Sequence, residues 1–325
     1  MTETAGEQQR PSRAVVAAST AVTLVFGAAV AIQSRINGEL GRALDDGYLA
    51  AVISFGSGLA ILVVAMLFVR SGRVGLAEVV RAIRSREMPW WFAAGGAAGA
   101  FLVLSQGLTA AVLGIALFTI AIVSGHTLSG LLIDRRGLGT MEPKRLSTTR
   151  LVGSALALVA VAIAVSAQLS SEIPVWMLVM PFIGGLGLGW QQAVNGQVKV
   201  RANSVLSATF VNFVVGFVIL AITATIHTAI VGWPDSAPTD WWLYLGGPIG
   251  VIGIAGATIV VRTIGVLLLG LGTVAGQLLT SLVLDIVAPP AGYVVVPTTV
   301  VGTLLTLVAV GIAAVPGRAA RPTAR

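Results

Sequence analysis

Ten runs of about 20 predominantly apolar residues fill most of the chain, and they leave its backbone few choices. A helix of about that length crosses a hydrocarbon core of ~30 Å at 1.5 Å per residue. In lipid, each backbone N–H and C=O must find a partner inside the protein, so only helices and closed barrels span. A barrel would show short alternating strands, and these runs are continuous. They fall at about 14–36, 48–69, 89–108, 112–133, 149–168, 174–196, 203–226, 241–260, 263–286 and 293–315. Composition agrees. Of 325 residues, 56% are apolar and 10% are charged, against about 25% charged in a soluble domain. Mean hydropathy is +0.94. The expected fold is an all-α integral membrane protein of ten transmembrane helices, with no stretch long enough for a separate soluble domain.

The net charge is +7. Basic residues in a chain of this kind report topology before they report nucleic acid, because they sit in short loops between apolar runs. With the N-terminus in the cytoplasm, 18 of the 20 basic residues fall on the cytoplasmic side, and only Arg35 and Arg42 fall outside. The expected location is therefore the cytoplasmic membrane, with multiple passes and both termini inside. Arg10 and Arg13 before the first run resemble the opening of a secretory signal. Nine further runs follow, however, and the first is read as an uncleaved span. There are no cysteines, which removes disulfides, thiolate metal sites and cysteine nucleophiles.

The chain repeats itself. AIQSRINGELG, residues 31–41, returns as GWQQAVNGQVK, residues 189–199, at an offset of 158. The same offset sets Phe55 on Phe213, Gly58 on Gly216 and Leu62 on Leu220. At an offset of 151, Trp90-Trp91 falls on Trp241-Trp242, Gly95-Gly96 on Gly246-Gly247, Gly99 on Gly250, Gly125 on Gly276, His126 on Gln277, and Asp134 on Asp285. At 149, Val152-Gly153 meets Val301-Gly302. Each unit holds five spans. Five is odd, so the second unit enters the bilayer the other way up, a construction many secondary transporters use. Loop charge agrees: Asp45 and Asp46 follow the phrase in the first unit, Lys199 and Arg201 in the second. The expected divisions are a cytoplasmic tail at 1–13, a first repeat at 14–168, an inverted second repeat at 169–315 and a cytoplasmic tail at 316–325.

Polar side chains inside spans are costly in hydrocarbon and usually face the bundle interior or a cavity. Gln33 and Asn37 share a helix face four residues apart, as do Gln191 and Asn195. Their amides both donate and accept, which suits a polar, zwitterionic or hydrogen-bonding solute. Bundle-locking hydrogen bonds, or helix C-caps at Asn37-Gly38 and Asn195-Gly196, are the competing readings. His126 and Gln277 occupy matched positions, each three residues before a hydroxyl, Ser129 or Thr280. Of that pair, only His126 titrates near neutrality. His126, Asp134 and Asp285 are the candidates for coupling or gating, and the two aspartates also read as solvated helix ends. Arg35, Glu39 and Arg42 have ion-pair spacing at the outer end of the first span, as surface pairs or as the lining of a vestibule. The stripes Gly95, Gly96, Gly99 and Gly246, Gly247, Gly250 allow close helix packing, or sliding at a gate. Pro248 is placed to kink the eighth span. The paired tryptophans read as interfacial anchors.

No Walker loop, HExxH sequence, nucleophile elbow or metal cluster is recognisable, and no cofactor is implied. The order of motifs Q-x-x-x-N-G, F-x-x-G, P-W-W with G-G-x-x-G, and G-[HQ]-x-x-[ST]-x-x-x-x-D, given twice or nearly so, resembles the YdcZ family of the drug/metabolite transporter superfamily. The resemblance covers residues 14–168 and 174–315 and corresponds to a fused two-repeat form. It implies an exporter or permease, built as a ten-helix bundle around a cavity lined by the first, third and fourth spans of each unit. Small multidrug relatives carry a proton-exchanging glutamate in the first helix. The nearest positions here are Gln33 and Gln191, which hold no titratable proton. The expected function is a secondary transporter moving a small polar or amphipathic solute by alternating access, with the solute and membrane lipid as partners and no nucleic acid. Monomer and homodimer are both compatible with the sequence. A non-transporting structural or regulatory membrane protein, or an integral-membrane lipid-modifying enzyme, are the alternatives.

Overall fold

The computed structural model describes residues 13–137, 148–166, 174–290 and 294–314, without the side chains of 13–20, 134, 150, 165, 253–272 and 313–314. The expected tails therefore lie outside the described residues, except at Arg13. So does the side chain of Asp134.

The described chain is helical. The elements are α1 (Arg13–Ala43), α2 (Gly47–Phe68), α3 (Arg70–Arg84), α4 (Gly95–Ser105), α5 (Ala111–Leu113), α6 (Ile115–Arg136), α7 (Thr148–Ser166), α8 (Val175–Ala202), α9 (Val205–Val231), α10 (Gly246–Val287) and α11 (Pro297–Ala314). Single 3-10 turns at Trp90–Phe92 and Trp241–Tyr244 precede α4 and α10, and a π turn at Gln106–Ala110 joins α4 to α5. Among the described residues, six segments are long and apolar enough to cross a membrane: Ala21–Ala43, Gly47–Phe68, Trp90–Leu113, Ile115–Ile133, Val175–Ala202 and Val205–Val231. Trp90 and Trp241 are both largely exposed, as interfacial indoles would be.

Three elements differ from the sequence expectation. Residues 70–84 were expected as loop and form α3. Its arginines disguise a helix that buries Gly72, Gly75, Val79 and Ala82 on one face. Pro248 does not kink a span. The helix begins at Gly246, so proline sits in the first turn, where its missing N–H has no intrahelical role. The third difference is α10 itself, which is helical from Gly246 to Val287 where two spans were expected. Its ends nevertheless meet the same stretch of α1. Gln33 Nε2 donates to the Gly246 carbonyl at 2.9 Å, and Arg35 Nη2 donates to the Ala288 carbonyl at 2.7 Å. A straight helix of 42 residues would separate its ends by ~63 Å. α10 therefore turns back on itself, and both of its legs pack on α1.

Residues matched by the sequence repeat build matched local structure. The turn after α1 uses Asp45 at φ 50° and Asp46 as N-cap of α2. The turn after α8 uses Asn203 at φ 46° and Ser204 as N-cap of α9. Asp and Asn are the non-glycine residues that best tolerate the left-handed region. The Asp46 carboxylate accepts from Tyr48 N at 2.8 Å and Leu49 N at 3.0 Å. Ser204 Oγ accepts from Ser207 N at 3.2 Å.

The packing is reciprocal as well. Phe55 on α2 and Phe213 on α9 lie with ring centroids 5.0 Å apart. The Phe55 ring covers Gly216, and the Phe213 ring covers Gly58. Gly96 abuts the Asn212 carbonyl, and Gly247 abuts the Ser54 carbonyl. Gly125 on α6 abuts the Phe182 carbonyl of α8, and Gly276 on α10 abuts the Leu24 carbonyl of α1. Thus α1 packs against α10, while α8 packs against α4 and α6. The first helix of each half lies among helices of the other half. α7 and α11 pair through Gly302, which sits against Ala160 and Ala164.

A methyl group at Gly96 or Gly247 would overlap a backbone carbonyl, so Gly96→Ala and Gly247→Ala should each destabilise by about 1–3 kcal/mol. Gly130→Ala meets open space and should be neutral or stabilising by up to about 1 kcal/mol. Unfolding of the three variants in mild detergent, followed by circular dichroism, checks this.

Candidate functional site

Two amide clusters occupy the interior, one around each copy of the repeated phrase. In the first, Asn37 is fully buried on α1. Its Nδ2 donates to Gln106 Oε1 at 2.7 Å, and Gln106 Nε2 donates on to Ser34 Oγ at 3.0 Å. The Ser34 hydroxyl donates to the Val30 carbonyl at 3.0 Å, which closes the chain. Gln33, half-buried on the same helix, donates to Gly246 O. In the second cluster, Gln191 Nε2 and Asn195 Nδ2 both donate to Asn212 Oδ1, at 2.9 and 3.0 Å. These bonds offset the cost of placing amides in an apolar medium.

Glycine makes the clusters possible. A Cβ at Gly250 would stand 2.5 Å from Gln33 Nε2, and one at Gly99 would stand 2.6 Å from Gln191 Nε2. Gly246 lies under the Asn37 amide, and Gly95 under the Asn195 amide. Each stripe is thus the floor on which the other half's amides rest. Among the described residues, one amide oxygen of each cluster is buried with no hydrogen-bond partner: Asn37 Oδ1, against Gly246, and Gln191 Oε1, near Gly99. An unpaired buried acceptor costs about 1–3 kcal/mol, so each is ready to take a donor.

The clusters are neighbours, with no described hydrogen bond joining them. Gln191 rests on Gly99, and Asn37 is bonded to Gln106, seven residues further along the same segment. That is a separation of ~10 Å along a helix axis. Phe55 and Phe213, whose rings meet, each follow a residue at the edge of a cluster, Ser54 beside Gly246 and Asn212.

The remaining candidates divide. His126 Nε2 lies 2.9 Å from Gln192 Oε1, the residue beside Gln191, so it joins the exposed neighbour rather than the buried amide. Gln277 is buried, and its backbone packs on Gly27, six residues and ~9 Å along α1 from Gln33. Asp285 is not a solvated helix end. It is 1% exposed, and its two oxygens accept from Ile115 N at 2.9 Å and Ala116 N at 2.7 Å. These are orphan donors of the first turn of α6, a place that favours negative charge. Gly114, at φ 76°, breaks the chain just before it. Arg35 is not a surface pair either. It lies 3.2 Å from Glu39 and also holds the carbonyl that ends α10, while its Nη1 is buried without a partner.

Sequence reasoning passed over Gln106, Asn212 and Gln192. The first two were visible as polar residues inside apolar runs. Neither recurs at its matched position, where Ala257 and Ser54 stand, so the repeat did not flag them.

A family model described as "Putative inner membrane exporter, YdcZ" matches the chain twice, over residues 19–163 and 176–312. Among solved structures, one described only as "Crystal structure of protein" aligns with a TM-score of 0.53 at 16% identity, covering 93% of this chain and 97% of that one. At that identity the likeness speaks to fold alone. None of the curated proteins matches.

Asn212 is the sole described acceptor for two amides, so Asn212→Leu should destabilise by about 1–2 kcal/mol. Asp285→Asn, which turns an amide donor toward the α6 N–H groups, should cost about 1–3 kcal/mol. Gln192→Leu, at an exposed side chain whose described partner is His126, should change stability by less than about 1 kcal/mol. Thermal unfolding in detergent distinguishes the three.

Proposed function

The chain belongs to the YdcZ family, a family of inner-membrane exporters, and on that premise we propose that it is a secondary carrier moving a small polar or amphipathic solute by alternating access. In this reading, residues 14–168 and 169–315 are two five-helix repeats of opposite orientation, ten spans in all, with both termini in the cytoplasm. The solute site is the space between the two amide clusters. Gln33, Asn37, Gln191 and Asn195 contact the solute, while His126 and Gln277 flank it.

The observation that carries this reading is the pair of unsatisfied acceptors. Asn37 Oδ1 and Gln191 Oε1 belong to the two copies of one sequence phrase, and each is buried with no partner. In this reading a donor-bearing solute, such as an amine, an alcohol or an amide, satisfies one and then the other as it passes between the halves. The double match of the family model and the exchanged packing of α1 and α8 support two related halves. Two bundles, each made of one half's helices and the first helix of the other, can rock against each other around a fixed central site. Gln33 and Gln191 carry amides, so solute release at the first helices is not driven by titration there. Any coupling to protons runs through His126 or the two aspartates, Asp134 and Asp285.

A thermal-shift screen of the purified protein against amines, polyols, amino acids and drug-like cations gives the first test. A ligand at 100 times its Kd should stabilise by about 2.7 kcal/mol. The stabilising class, loaded into proteoliposomes, should show flux in the wild type. In Gln33→Leu/Gln191→Leu, flux should fall at least roughly tenfold, while stability falls by only about 1–2 kcal/mol, the scale of interhelical hydrogen bonds in membranes. Flux unchanged in the double variant would overturn the assignment of the site.

A further inference from the structure

We propose that the groove between α2, α3 and the start of α9 is a binding site for one anionic phospholipid, with an acyl chain in the groove and the phosphate at the arginines of α3. This stands apart from the transport site and does not depend on it. The groove has a volume of about 940 Å³. Its walls are apolar: Val63, Met66 and Leu67 from α2, Leu76, Ala77 and Val80 from α3, and Phe210 from α9. Its polar lining is Arg73, Arg81, Arg84 and Ser85, with no carboxylate.

α3 is built as an interfacial helix. Gly72, Gly75, Val79 and Ala82 face the protein. Gly72 packs on Leu206, and its carbonyl accepts from Ser207 Oγ at 2.7 Å. The arginines lie on the other side, the pattern of a helix lying in the headgroup plane. A single residue, Val69, separates it from α2. Arg73 fixes the bend. Its Nη1 donates to the Met66 carbonyl at 2.9 Å and to the Leu67 carbonyl, and the residue lines the groove. Arg81 pairs with Glu78, an exposed contact worth little. Arg84 has no described partner. The nearby acid Glu87 pairs with Arg201 and accepts from the Ser85 hydroxyl at 3.0 Å, so its charge is already engaged.

The shape and the charge select the occupant together. Val63, Val64, Leu67 and Phe68 are exposed on α2 and continue the groove wall into the outer apolar face of the helix. A ligand therefore enters sideways, from the hydrocarbon. A free anion has no use for seven apolar walls, and a neutral lipid has none for the guanidinium groups at their edge. Each basic residue near a charged membrane surface is worth about fivefold in affinity.

Native mass spectrometry of the full chain, equilibrated with equal amounts of phosphatidylglycerol and phosphatidylcholine, tests the assignment. The wild type should retain phosphatidylglycerol preferentially. Arg81→Gln/Arg84→Gln should lose it by about twentyfold, and Arg135→Gln/Arg136→Gln, at the exposed end of α6, should keep it. Ala77→Trp, which fills the groove and leaves the arginines intact, should also abolish retention. Equal uptake of the two lipids overturns the proposal, as does retention by the arginine variant. Retention by Ala77→Trp overturns the acyl-chain placement, and displacement by inorganic phosphate alone would make the ligand a soluble anion.

Discussion

Backbone-to-backbone approach at glycine is the contact on which the rest of this structure depends. Gly96 against Asn212, Gly247 against Ser54, Gly125 against Phe182 and Gly276 against Leu24 bring helix axes closer than any larger residue permits. In a membrane, burial in a neighbour is no better than burial in lipid. Association then rests on close packing, which these glycines supply, and on hydrogen bonds, which the amides supply. The glycines set the helix spacing, and their stripe neighbours Gly95, Gly99, Gly246 and Gly250 clear the floor on which Asn195, Gln191, Asn37 and Gln33 lie. If the glycine stripes moved apart, the amides would lose their partners in a medium that offers no others.

The two halves use one plan with different parts. Both close the first helix with a left-handed Asp or Asn followed by a capping oxygen. Both lay a glutamine on a glycine of the opposite half. The third member of each amide cluster differs. Gln106, in a π turn, completes the first, and Asn212, on α9, completes the second. π turns inside helices often mark functional sites, and this one carries the side chain that bonds Asn37. His126 opposite Gln277 adds a second asymmetry. The two ends of a carrier built this way would not be chemically equivalent.

What could be read from the chain was whatever period and repetition record. Runs of 20 apolar residues fix helices in lipid, and an offset of 158 finds the turns, the rings and the amides together. What could not be read depends on a partner chosen by tertiary structure. Asp285 looks like the end of a span until Ile115 and Ala116 are seen to need acceptors after the break at Gly114. Arg35 looks like half of a surface pair until α10 ends beside it. α3 hid behind its own charge, because its buried face is mostly glycine and alanine and carries little hydropathy.

The central claim is that the two halves cross the membrane in opposite directions. The chain has no cysteine, so single cysteines can be introduced without background. Asp45→Cys and Lys199→Cys stand in the two regions that follow the repeated phrase. Labelling each with a membrane-impermeant maleimide, in intact cells and in inverted vesicles, reads sidedness directly. The account predicts that Asp45→Cys reacts only from outside and Lys199→Cys only from the cytoplasmic side. Reaction of both from the same side would contradict it.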